Sequence, residues 1–206
     1  MPLQHSLFTA SYTSRTPKFD KKQACVELTQ YKTIRPIFER WHYKGGVIGG
    51  GISFCLALWY CGELAGGMVV GLPRHSKTYP GALDIRRMAC LEEMPCNTES
   101  YFLSQACKYM KKHTNALRVI TYADETEGHT GVIYKAANFK HVGTTAPTKW
   151  IEHNGRRYHP RSISIDRPYS YALRKAVKEG EAKWMTGLPK HIYVYELYKR
   201  KHATHA

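Results

Sequence analysis

Tyr122-Ala-Asp-Glu-Thr-Glu-Gly-His-Thr-Gly-Val-Ile-Tyr-Lys-Ala-Ala-Asn-Phe139 is the stretch on which the reading of this chain turns. Leu117 to Tyr122 is a β-branched and aromatic run that reads as a strand ending at Ala123-Asp124. A helical pattern starts near His129, with Val132, Ile133 and Ala136 as its apolar stripe. Asp124, His129 and Tyr134 therefore collect where a strand hands over to a helix. In open α/β sheets the crevice at the carboxyl ends of the strands takes the ligand, so a carboxylate, an imidazole and a phenol are expected within reach of one another. Gly128 and Gly131 permit close backbone approach there. The plainer alternative has Asp124 capping the helix and Tyr134 filling the edge of a core.

Working outward, residues 1–22 are polar and read as a flexible N-terminal arm, followed by one domain over 23–206 whose C-terminal part is basic. Ala24 to Trp41 fits a strand and then a short helix, with Pro36 in its first turn. Ile52 to Tyr60 and Leu64 to Leu72 form a hairpin about Cys61-Gly62-Glu63, expected at the centre of the sheet. Ala82 to Leu91 is a further strand. Pro95 to Ser100 supplies small polar residues to cap a helix that runs to about His113. After the central stretch come a strand from Phe139 to Thr145, a hairpin turning at Asn154-Gly155, a helix from Tyr169 to Gly180 and a strand from His191 to Tyr198. The order is that of an α/β fold with a mixed sheet and flanking helices.

Length and charge narrow the class. The 206 residues suit one well-buried domain. A formal charge of +15 on a chain that is 43% hydrophobic belongs to a folded body that attracts a polyanion, nucleic acid first among them. Six cysteines without a CxxC pair, and no secretory leader, read as reduced and mostly buried thiols in a cytoplasmic protein. The longest apolar run, Ile52 to Tyr60, is far too short to span a membrane.

Ile133-Tyr-Lys-Ala-Ala-Asn-Phe-Lys-His-Val-Gly143 resembles the tyrosine-bearing helix and following strand of the GCN5-related N-acetyltransferases, which implies a mostly antiparallel mixed sheet with Tyr134 as general acid. Further pieces are His42-Tyr43-Lys44-Gly45, Arg86-Arg87-Met88, Asn97-Thr98-Glu99-Ser100, and Tyr122-Ala-Asp124 with Gly128-His129-Thr-Gly131. Together they make the chain similar to the Mom DNA-modification proteins of Mu-like phages. That resemblance implies a phage- or prophage-encoded enzyme of the host cytoplasm. Its reaction would convert adenine in duplex DNA to a methylcarbamoyl derivative at the exocyclic amine, so that the DNA resists restriction.

One departure bears on the donor. Acetyltransferases hold the pyrophosphate of acetyl-CoA on a glycine-rich turn at a helix N-terminus. Here the corresponding turn, Glu92 to Asn97, has no glycine, two acids, and a proline that lacks a donor N–H. Acetyl-CoA bound in the usual way is not expected, and the sequence leaves the donor open.

The catalytic set read from these motifs is Asp124 as base, Tyr134 as donor to a developing anion, Ser100 as orienting group, His42 and Arg86, with Asn97, Ser100 and Arg87 on the donor. Two imidazoles and a carboxylate, His42, His129 and Asp124, match a facial-triad metal site, for which the resemblance favours iron over zinc. A paired adenine must be extruded from the helix to react. The hairpin from Lys149 to Ser164 is the candidate DNA clamp, with Lys149, Arg156, Arg157, Tyr158 and Arg161 interleaving charge and aromatic surface. Lys108, Lys111, Lys112 and Lys199 to Lys201 extend it. Two rival readings stand beside this one: an acetyl-CoA-dependent acyltransferase on RNA or protein, and a DNA-binding module without chemistry. Oligomeric state is left open.

Overall fold

The computed structural model describes residues 18–42, 51–73 and 77–198. A 3-10 turn, Lys21–Gln23, is capped by the Asp20 carboxylate accepting from the Lys22 N–H at 3.0 Å. Phe19 stacks on Tyr60 with ring centres 5.1 Å apart and packs on Tyr101. The chain is thus already docked on the sheet at residue 19; the rest of the expected arm, residues 1–17, lies outside the described residues.

Among the described residues, ten strands and five helices follow. They are β1 (Ala24–Thr29), α1 (Tyr31–Trp41), β2 (Ile52–Tyr60), β3 (Glu63–Gly71), β4 (Ala82–Cys90), α2 (Thr98–His113), β5 (Arg118–Asp124), α3 (Val132–Ala136), β6 (Lys140–Thr144), β7 (Lys149–His153), β8 (Arg156–Tyr158), α4 (Arg161–Ser164), α5 (Ser170–Glu179), β9 (Lys183–Thr186) and β10 (Lys190–Glu196). Seven strands form one sheet in the order β1-β2-β3-β4-β5-β10-β6. Every pairing in it is antiparallel except β4 with β5. The middle strand is β4, so the β2–β3 hairpin lies to one side of the centre rather than at it.

Side chains alternate between the two faces of this sheet. Leu56, Leu58, Met68, Val70, Leu83, Ile85 and Val119 point to the face covered by α2, where Phe102, Leu103, Ala106 and Met110 meet them. Cys55, Ala57, Val69 and Ala89 point to the other face, where α1 lays down Ile34, Ile37 and Phe38. Each large apolar side chain buried there contributes roughly 1.5–3 kcal/mol. Pro36 is the sixth residue of α1, not part of its first turn. The α1 layer stops at β4, and the same face of β4, β5 and β10 carries only a small cluster of Ala82, Ile120 and Val194 with Tyr79, Tyr122 and Ile192.

The parallel pair is the feature that matters most. Strands β4 and β5 pair only where Ala82, Leu83 and Asp84 face Arg118, Val119 and Ile120. Beyond those residues each strand runs on without the other, and the sheet splits. On β4, Arg86 is an extra residue against β3, because Val69 pairs with Arg87 and Val70 with Ile85.

A second sheet, in the order β8-β7-β9, forms from the C-terminal third. The β7–β8 turn is the expected one, with Asn154 at φ 50° and Gly155 at φ 69°. Ile151 is buried against Leu173 and Ala176 of α5. Strand β9 has no counterpart in the sequence reading, since its Lys-Trp-Met-Thr is short and exposed along its length. Other expectations need correction in detail. Val132 is 66% exposed rather than part of an apolar stripe, and only Cys55 and Cys107 of the six cysteines are fully buried.

Candidate active site at the split between β4 and β5

Tyr134 stands on the α2 face of the split. Phe139 and Tyr193 pack against its ring at 5.9 and 5.3 Å, and its hydroxyl is hydrogen-bonded to Thr121. Burial pushes its pKa up and the Thr121 hydrogen bond pulls against that, so the phenol stays protonated at neutral pH. Thr121 in turn makes a long hydrogen bond of 3.4 Å to the Ile85 carbonyl across the split. The α2 N-terminus lies on this side too. Asn97 precedes it in the left-handed region at φ 72°, where glycine is common. Its side chain does not cap the helix as expected: the Thr98 hydroxyl donates to the Pro95 carbonyl at 2.6 Å and the Ser100 hydroxyl to the Asn97 carbonyl at 3.0 Å. The carboxyl of Glu99 keeps an exposed edge, yet neighbouring atoms raise its pKa, with the nearby His129 opposing them. Asn97, Ser100, His129 and Tyr134 therefore share one side of the sheet.

Asp124 does not join them. It follows Ile120 and Tyr122 in the alternation of β5, which turns it to the opposite face, and Lys190, its cross-strand partner on β10, holds it at 2.5 Å. That face carries a cavity of about 520 Å³, lined by Thr78, Tyr79, Asp84, Tyr122, Thr145, Ala146, Thr148, Lys190 and Ile192. Asp84 is 7% exposed and close enough to both Tyr122 and Tyr134 to raise their pKa values through its charge. For Tyr122 burial is the larger cause, and the total takes it to about 12. Asp84 thus places a carboxylate at the last residue where β4 and β5 pair, in the position expected of Asp124, while Glu99 acts on Tyr134 from the α2 side.

The remaining candidates are dispersed. His42 ends α1 and sets its ring edge-on to Phe38 at 5.9 Å. Arg86 donates from Nη2 to the Leu72 carbonyl at 2.8 Å, tying down the strand end that leads towards Thr78 and Tyr79. Arg87 lies on the α1 side, where its charge lowers the pKa of Tyr31 against the larger, raising effect of burial; it is not at the α2 N-terminus with Asn97 and Ser100. Among the described residues no three His, Cys, Asp or Glu side chains are arranged to share a metal ion. The facial triad of His42, Asp124 and His129 is not assembled, because the three side chains belong to different faces and ends of the sheet.

The expected clamp is a real hairpin. Lys149 and Arg156 are exposed on it, Arg161 is exposed at the start of α4 just beyond it, and Tyr158 packs on Tyr169 at 5.7 Å. Arg157 is different: it pairs with Glu127 at 2.9 Å and lies over the Trp150 ring at 4.9 Å, fastening the small sheet to the turn after β5. Two connections join this sheet to the cavity, residues 145–148 entering β7 and residues 187–189 leaving β9. Both carry or adjoin cavity-lining residues.

Asp84, Thr121 and Lys190 escaped the sequence reading, and so did the tyrosines as cavity walls. A lone acid in the alternating Ala82-Leu-Asp-Ile-Arg stretch was the available signal, since a strand buried on both faces seldom carries one.

Comparison with known proteins supplies the lineage. The sequence profile of the Mom protein family matches residues 23–206. The chain belongs to the Mom protein family. One curated relative, methylcarbamoylase mom of Escherichia phage Mu, is 35% identical over 80 residues, which are 38% of this chain and 33% of the relative. The match thus spans about a third of that relative's length. Solved structures with the same fold include a Bacillus subtilis acetyltransferase in complex with CoA, at TM-score 0.52 and 14% identity over 85% of this chain and 99% of the other. Another is the ribosomal-protein-S18-alanine N-acetyltransferase of Escherichia coli, at TM-score 0.53 and 8% identity over 89% and 99%. At such identities the likeness is one of fold. This member of the Mom family is built on an acetyltransferase-like sheet whose split separates Tyr134 from the cavity around Asp84.

Proposed function

We propose that the protein is a DNA-modifying transferase that places a methylcarbamoyl group on the exocyclic amine of adenine in duplex DNA and so protects phage DNA from restriction. Family membership and the phage Mu relative's name support the reaction class. The observation that carries the reading is the cavity of about 520 Å³ opposite Tyr134. It has two tyrosines and a buried carboxylate in its lining and is roomy enough for a nucleobase.

In this reading the extruded adenine enters from the cavity face and the donor lies on the α2 face. The exocyclic amine is a weak nucleophile because its lone pair is delocalised into the ring, so loss of its proton must accompany attack. The amine nitrogen bonds to the transferred carbon, and its proton passes to the Asp84 carboxylate. The bond from that carbon to the leaving group breaks, and Tyr134 protonates the departing anion. Lys190, fixed by Asp124, lines the entrance and holds the backbone phosphate beside the extruded base. Lys149, Arg156 and Arg161 grip flanking phosphates.

The fold also supports an acyl-CoA as donor, since one relative of the same fold was solved with CoA. Titrating CoA into the purified protein separates a CoA thioester from other donors. The reaction itself is tested by digesting DNA from expressing cells to nucleosides. A mass-shifted deoxyadenosine, together with resistance of the DNA to restriction enzymes, is the expected result. Unshifted nucleosides from cells that contain folded protein would contradict it.

A further inference from the structure

The connection Gly187-Leu188-Pro189 joins β9 to β10 between two residues that line the cavity, Thr148 and Lys190. It is held on several sides. The Gly187 N–H donates to the Thr148 carbonyl at 2.8 Å, and the Leu188 N–H donates to the Thr126 hydroxyl at 2.9 Å. A Cβ on Gly187 would stand 2.8 Å from the Trp150 ring and 2.9 Å from the Thr126 hydroxyl, so the backbone fits closely against both. Pro189 restricts the chain on the other side. From this fixed support the Leu188 side chain remains 49% exposed.

Single exposed leucines are ordinary. This one differs in being an apolar tip on an anchored backbone, at the rim of a cavity, with the exposed Lys149 close by, where β7 starts opposite Thr186. A base that leaves a duplex opens a gap between two stacked neighbours, and an apolar side chain inserted there offsets part of the lost stacking. A cation at that position suits a phosphate that flanks such a gap.

We propose that Leu188 is the wedge that fills the space vacated in duplex DNA while the extruded base occupies the cavity beside it. The proposal rests on the reading of the protein as a DNA-modifying enzyme and adds the residue that makes paired DNA, rather than single strands, a good substrate. A wedge matters only where there is a stack to enter. Leu188→Ala therefore slows modification of double-stranded DNA far more than of single strands, and Leu188→Met, still long and apolar, restores it.

The test uses extracts of expressing cells, which contain the cell's own donors. These are incubated with unmodified plasmid, either double-stranded or heat-denatured, and modified deoxyadenosine is counted by mass spectrometry. The plasmid offers every sequence context in both forms. For Leu188→Ala the expected result is at least a tenfold loss on double-stranded plasmid, less than a twofold change on denatured plasmid, and recovery in Leu188→Met. An equal loss on both forms would assign Leu188 a merely structural role and overturn the wedge; so would no loss on either. If the wild-type extract modifies neither form and nucleosides of the expressing cells are unshifted, the reading of the protein as a DNA-modifying enzyme fails and takes the wedge with it.

Discussion

Two tyrosines lie on opposite faces of the split, and burial holds both of them as phenols. In the proposed reaction Tyr134 gives a proton to the leaving group, so it has to be a phenol when the reaction starts, and burial keeps it one. Tyr122, in the cavity wall, is pushed up to about 12 by burial and by the charge of Asp84. An unfolded chain releases that proton near the ordinary tyrosine value of 10, whereas the folded chain keeps it to about 12. Between these values the unfolded state binds fewer protons, so the contribution of Tyr122 to stability is full below the lower one and is lost as pH rises towards the higher. Melting temperatures followed from about pH 9 to about pH 11 should fall more steeply for the wild type than for Tyr122→Phe; parallel curves would mean that Tyr122 is solvated. The sequence grouped Tyr134 with Asp124 because both sit in a recognisable strand-to-helix passage, yet the alternation of β5 turns Asp124 to the other face. The sequence hid Asp84, because which face of a strand a residue takes depends on pairing register. The extra residue at Arg86 resets that register along β4 in a way that periodicity does not reveal.

Among the elements, the hairpin of β7 and β8 divides its charges between holding the fold and facing solvent. Arg157 is committed to Glu127 and Trp150, while Arg156 is exposed beside it. Arg156→Ala should lower affinity for duplex DNA and reduce the slope of log affinity against log salt by about one, with an unchanged melting temperature. Arg157→Ala should instead lower stability by about 0.5–1 kcal/mol, because a half-exposed ion pair and a cation–π contact are each worth little alone. Equilibrium denaturation and salt-dependent binding measured on both variants decide this, and identical behaviour of the two would remove the distinction. The Asn154-Gly155 turn was readable because its dipeptide carries a specific backbone geometry. Strand β9 was not, because a short exposed strand becomes a strand only by pairing with β7, a contact between segments more than thirty residues apart in sequence.

At the scale of the whole molecule, the split of the sheet has Tyr134 on one side and Asp84 on the other, and α1 covers only part of one face. The uncovered part, over β4, β5 and β10, is the cavity. The order of strands and helices along the chain was sufficient for an α/β class, and the segment from Ile133 to Gly143 carried the reading on to an acetyltransferase-like fold. That order did not distinguish residues on the two faces of the split, and the metal triad of His42, Asp124 and His129, drawn from separate segments, is not assembled. The second sheet extends the basic surface from the rim of the cavity, and no helix among the described residues is long and apolar enough to cross a membrane. The central claim is that transfer runs through the split, between Tyr134 on one face and Asp84 on the other. Its most direct test is the yield of mass-shifted deoxyadenosine in cells expressing folded Asp84→Asn or Tyr134→Phe protein beside the wild type. The account predicts a clear shift in the wild type and a loss of about 100-fold or more in each variant. A wild-type yield retained in both variants would contradict it.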